Sequence, residues 1–198
     1  MHTYRKTHDN GRKTSENKQL VTFLEKIGSR GTGFSENCCI FAATKMEDMA
    51  YKAIDIAKKL IKMADDDIAN GGDNITNLKL QKLLYYQQGY HLAAFDTPLF
   101  DESVEAWIYG PVVPVVYDYF QPYGATSLPV CDDVVVLGDK EESLFYQVFD
   151  AYREFSAIGL MNKTHTERPW LSVSPHDRGS VIPVETLKSY FKTQYFEN

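Results

Sequence analysis

His165 and Glu167 stand two residues apart, just ahead of Pro169-Trp170. An imidazole near a carboxylate is common equipment for moving protons. A metal site would need a third ligand, recruited by the fold from His91, His176 or Asp177, and none of these spacings follows a zinc pattern. The residues favour a structural role instead. His165 is expected to bond the last carbonyls of its helix, Pro169 to end the segment and Trp170 to plug the core. No Gly-x-Ser-x-Gly elbow, phosphate loop or dinucleotide fingerprint occurs, and Cys131 has no neighbouring base. The carboxylates of Asp65-Asp66-Asp67 diverge at helical spacing and read as a solvated helix end. Trp107, Tyr109, Tyr117 and Tyr119 could stack on a ligand, although aromatics beside Gly-Pro more often fill a core. Gln87 and His91 lie one helical turn apart within a leucine-rich side. Buried there, each orphaned group would cost about 1–3 kcal/mol. These residues describe a polar structural centre with possible binding capacity; no catalytic set, metal or cofactor is expected.

The elements that must hold them follow from periodicity. Leu78–His91 is apolar on nearly every side, which places a helix inside a bundle rather than on its surface. It starts at Thr76 or Asn77 and runs to about Ala94. Gly89 in that helix would allow another backbone to approach closely. Met46–Ala69 is amphipathic, with Lys52, Asp55, Lys58, Lys59, Lys62 and Asp66 on the polar side and Asn70-Gly71-Gly72 as a stop. Val104–Ile108 alternates like a short strand. Gly110-Pro111 is expected to start a helix that Pro122 ends. Val134–Leu137 could form another short strand. Helices follow over 141–155, 157–165 and 184–194, with 168–181 as a loop. The expected fold is mainly α, a compact bundle of about five to six helices with at most a minor short β element.

Charge divides the chain. Residues 1–45 carry 8 Lys/Arg and 4 Asp/Glu, whereas 46–198 carry 13 and 23. The first part, with one possible helix over Gln19–Ile27, is expected to be an extension. It is either a mobile or partner-contacting tail, or sequence ahead of a true start at Met46. Residues 46–198 form the helical domain. Its acidic balance disfavours binding along a phosphate backbone and is compatible with a basic protein partner. Three cysteines, two of them adjacent, fit a reducing cytoplasm without stapling disulfides. No run reaches the roughly 18 apolar residues of a membrane span, and the N-terminus lacks the pattern of a secretory signal.

Three blocks together are specific. They are Lys79-Leu80-Gln81-Lys82-Leu83-Leu84-Tyr85-Tyr86-Gln87-Gln88-Gly89-Tyr90, then Glu105-Ala106-Trp107-Ile108-Tyr109-Gly110-Pro111-Val112-Val113-Pro114-Val115-Val116-Tyr117, then Thr164-His165-Thr166-Glu167-Arg168-Pro169-Trp170. With Pro98-Leu99-Phe100 and the late Tyr190-Phe191, the chain resembles the Panacea domain family of SocA-like or GepA-like proteins over roughly residues 48–192. Gln87 departs from the small residue expected there in many members. The resemblance implies a mainly helical, phage-associated or bacterial antitoxin that neutralises a cognate protein toxin by binding it. In one branch, the member acts as an adaptor that delivers its toxin to a protease or its unfoldase. It implies no catalytic residues. Gln87, His91, Trp107, Tyr109, His165, Glu167 and Trp170 are the candidate centre, expected first to fix the fold. Two other classes stay open: an enzyme using His165 and Glu167, and a phage nucleic-acid-associated regulator whose basic tail lies on DNA.

Overall fold

A computed structural model describes residues 50–68, 72, 74–173 and 179–195. The extension, its possible helix at 19–27, and the boundary at Met46 lie outside the described residues. So do Asn70, Gly71, His176 and Asp177.

The molecule is built around one helix. Numbered along the chain, the helices are α1 (Ala53–Asp67), α2 (Asn77–Phe95), α3 (Pro114–Phe120), α4 (Asp139–Arg153), α5 (Ala157–Thr164), α6 (Arg168–Leu171) and α7 (Val184–Tyr195). Strands β1 (Glu105–Trp107) and β2 (Gly110–Val112) form a small antiparallel hairpin. Sixteen of the nineteen residues of α2 are buried, as a helix apolar on all sides requires. It packs against α1, α3, α4, α5, α7 and β2. Thr76 caps its start by accepting the Lys79 N–H, and Asp96 ends it in the left-handed conformation at φ 64°. The Asp96 carboxylate is then held by Lys188 and Lys192 of α7.

Gly89 is close to a side chain rather than to a backbone. A Cβ there would lie 2.2 Å from the Phe191 ring, so the missing side chain is what seats α7 on α2. The chain enters through Tyr51, whose N–H donates to Leu99 O at 2.9 Å. Both carboxylate oxygens of Glu102 accept the Ala53 N–H at 3.1 Å, which satisfies an otherwise open helix start.

The mainly helical fold is as expected, and five expectations are corrected in detail. First, α1 begins at Ala53, not Met46; residues 46–49 lie outside the described set. Second, Lys59 is not on the solvent side. It is buried, with Nζ bonded to Glu142 at 2.8 Å and to Val135 O at 3.1 Å. Third, Gly110-Pro111 belongs to β2, and the helix waits for Pro114. Proline suits that strand because α2 side chains, not a further strand, take up its other edge: the Pro111 carbonyl accepts from Lys82 and the Val113 N–H donates to Gln81. Fourth, Val134–Leu137 forms no strand. No strand among the described residues meets it, and Val136 faces solvent while Leu137 enters the core. Fifth, 168–181 is not all loop. Arg168–Leu171 forms a one-turn helix, bringing the described helices to seven, and Ser180–Ile182 lies antiparallel to β1.

Candidate functional site: a buried polar centre

The three signature blocks converge. α2 contributes Lys82, Tyr85 and Tyr86; the hairpin contributes Trp107, Gly110 and Pro111; the α5–α6 corner contributes Thr164, His165, Glu167 and Trp170. Lys82 is fully buried and donates from Nζ to Pro111 O at 2.8 Å. Burial pushes its ammonium down to about 7. Gly110 turns under it with φ 93°, and a Cβ there would lie 2.8 Å from both Lys82 Cε and Thr164 Oγ1. Only glycine fits that contact and that backbone.

Glu167 is also buried. Its two oxygens accept Tyr85 OH at 2.8 Å and Tyr86 OH at 3.0 Å, and Lys163 Nζ lies 3.3 Å away. Burial raises its carboxyl above the ordinary range, and the pull of Lys163 and the two tyrosines reverses that only in part. Tyr86 stacks in turn on Tyr152 of α4, at 3.9 Å between ring centres.

His165 stacks on Trp170, ring centres 4.1 Å apart and 20° from parallel. Its Nε2 is buried without a hydrogen-bond partner among the described residues. The expected bond from His165 to its helix carbonyls is replaced by this stacking. Burial, and secondarily the charge of Lys82, lower its proton affinity. Trp170 is half-buried and donates from Nε1 to Trp107 O at 2.9 Å, which ties α6 to the hairpin. Among the described residues, no hydrogen bond joins His165 to Glu167, and no group of three His, Cys, Asp or Glu could hold a metal.

Gln87 and His91 lie elsewhere, on the α4 side of α2. Gln87 donates to Phe145 O at 3.0 Å. The His91 ring spans two acceptors, with Nδ1 2.8 Å from Thr97 O and Nε2 3.1 Å from Glu141 Oε1. Tyr51 OH donates to the other Glu141 oxygen at 2.8 Å. Burial acts to raise the Glu141 carboxyl, but the bonds from His91, Tyr51 and the Gly138 N–H outweigh it and leave it lowered. Tyr109 joins neither group; it stands exposed at the hairpin turn.

The candidate residues therefore divide three ways: Trp107, His165, Glu167 and Trp170 in one centre, Gln87 and His91 in a second, and Tyr109 outside both. Reading for catalysis missed Lys82, Gln81 and Gln88. Gln88 binds Phe100 O through its nitrogen and the Leu99 N–H through its oxygen. Their signal was in plain view, since polar residues on a helix apolar on all sides must each bond inward.

The segment that carries this centre also resembles known proteins. Residues 80–171 match the family model described as antitoxin SocA-like, Panacea domain. The match covers a little under half of the chain. The antitoxin SocA of Caulobacter vibrioides (strain NA1000 / CB15N) is 50% identical over 50 residues, which make up 25% of this chain and 27% of that protein. The aligned stretch thus spans about a quarter of that relative. No solved structure matches the chain. The matched segment runs from the first turn of α2 to the end of α6 and contains every residue of the Lys82–Glu167 centre. No helix among the described residues is long and apolar enough to cross a membrane.

Proposed function

We propose that this chain is an antitoxin that holds a cognate protein toxin inactive by direct contact. One observation carries the reading. Lys82, Tyr85, Tyr86 and Glu167 of the signature are turned inward and bonded to each other or to backbone, and Trp170 is tied to the hairpin, at the crossing of α2, the hairpin and α5–α6. Residues used that way brace a scaffold, and a braced scaffold suits recognition of another protein surface. The kinship with a SocA-like family supplies the kind of partner.

On this reading the protein is not an enzyme, works in the cytoplasm, and needs neither nucleic acid nor a membrane. The Gln87, His91, Trp107, His165, Glu167 and Trp170 side chains serve binding by fixing the shape that the partner meets. The family resemblance extends the reading to delivery of the toxin to a protease or its unfoldase.

The test is co-expression with the product of the adjacent reading frame. A frame that arrests growth alone and is tolerated with this chain supports the reading. Arrest that persists with the chain present, for each toxic neighbour, contradicts it. Delivery to a protease adds a second expectation: a shorter toxin half-life when the chain is present.

A further inference from the structure

The β1–β2 turn has a composition that the fold does not require. Its two central residues are Ile108 and Tyr109, 61% and 65% exposed. Turn positions commonly carry Gly, Asn, Asp or Ser. Here neither central residue has a positive φ, because the left-handed step falls on Gly110. Polar residues would therefore fit the backbone equally well. Neither side chain belongs to the core.

The surroundings share this character. The run Ala106–Tyr117 contains no charged residue, in a chain that is 24% charged. Further along, α3 exposes Val115 and Tyr119 one turn apart. The Trp107 and Tyr117 rings, 4.9 Å between centres, join the hairpin to α3. Interface cores are depleted of charge and enriched in aromatics in this way.

The turn is also held firmly from behind. Trp170 fixes the Trp107 carbonyl, Lys82 the Pro111 carbonyl and Gln81 the Val113 N–H. Glu105 accepts both the Trp107 indole N–H and the Gly179 N–H at 2.8 Å. A rigid aromatic loses little entropy on binding, and such anchors dominate interface energies.

We propose that the Ile108–Tyr109 turn is the anchor by which this chain binds its toxin, inserting into an uncharged apolar concavity on that protein. The inference rests on the antitoxin reading and adds the surface and the partner's local chemistry. A protruding turn cannot enclose a small molecule, and a run without cations gives a phosphate backbone nothing to hold.

The experiment uses the full chain and the purified product of the adjacent toxic reading frame. Hydrogen exchange of the wild-type complex is expected to show slowed amides at 107–110. The double variant Ile108→Asn/Tyr109→Asn is expected to keep its melting temperature and bind roughly 30-fold or more weakly, the scale of a lost hot spot. Tyr146→Ser, at an exposed tyrosine on α4 far along the chain, serves as the control and should bind like wild type. Tight wild-type binding with no protection at 107–110, or with the double variant binding equally well, overturns the anchor while leaving the antitoxin reading intact. Absence of wild-type binding to that product overturns both. Self-association of the chain through the turn, with the toxin bound elsewhere, also overturns the anchor.

Discussion

At the scale of single residues, Lys82 and Glu167 give the sharpest expectations. The Lys82 ammonium titrates near 7 in the folded protein and near its ordinary value of about 10.4 when unfolded. The folded state therefore prefers the neutral amine. This contribution is fully present above the unfolded value and is lost as pH falls through that range towards 7. In Lys82→Met the same stretch of the stability profile should be flatter, as urea melts between pH 7 and 10.5 would show. The variant also gives up the bond to Pro111 O, worth about 1 kcal/mol. Glu167→Ala should be worse. It removes the carboxylate that accepts from two buried tyrosine hydroxyls and should cost about 2–4 kcal/mol in the same melts. If Glu167→Ala melted like wild type, the buried centre would not be bracing the fold. Sequence reading weighed Glu167 for proton transfer, favoured a structural role, and passed over Lys82, because spacing along the chain cannot show that two tyrosines and a hairpin carbonyl close around them.

At the scale of elements, contacts between helices set the expectations. Gly89→Ala puts a methyl group into the Phe191 ring, and overpacking of this kind typically costs about 1–3 kcal/mol. Phe191→Leu in the same chain should recover part of the loss, which identifies the α2–α7 seat as the cause. Glu141 joins the entry to α1, the end of α2 and the start of α4 through Tyr51 and His91. Its carboxyl is lowered on folding, so its contribution is present above the unfolded value, about 4.3. It is lost as pH falls through the lower folded one. Glu141→Gln should flatten that acid limb of the stability curve. The long helices were legible because 3.6-residue periodicity and caps such as Thr76 and Ser156 act locally. The hairpin was half legible: alternation marked β1, but Pro111 suggested a helix start. Its strand role depends on Lys82 and Gln81, which lie about thirty residues earlier. Val134–Leu137 has strand-forming residues but no pairing partner, and a partner is information the segment itself does not contain.

At the scale of the whole molecule, a helix buried on all sides organises an acidic, mainly helical body in which Lys82, Tyr85, Tyr86 and Glu167 face inward. The hairpin turn and the exposed apolar residues of α3, in the uncharged run between Glu105 and Asp118, are the part of the surface least explained by folding. Sequence composition marked residues 46–198 as acidic, but exposure had to come from the structure. Tyr109 shows the difference, since it shares a motif with the half-buried, hydrogen-bonded Trp107 and yet stands in solvent. The central claim is that this chain works by gripping another polypeptide. Its most direct test is calorimetric titration of the purified chain into the purified product of the adjacent toxic frame, with the toxin's activity assayed on the same samples. The account predicts saturable binding, with activity falling in proportion to the toxin bound. Growth rescue in cells with no binding between the purified proteins would contradict it.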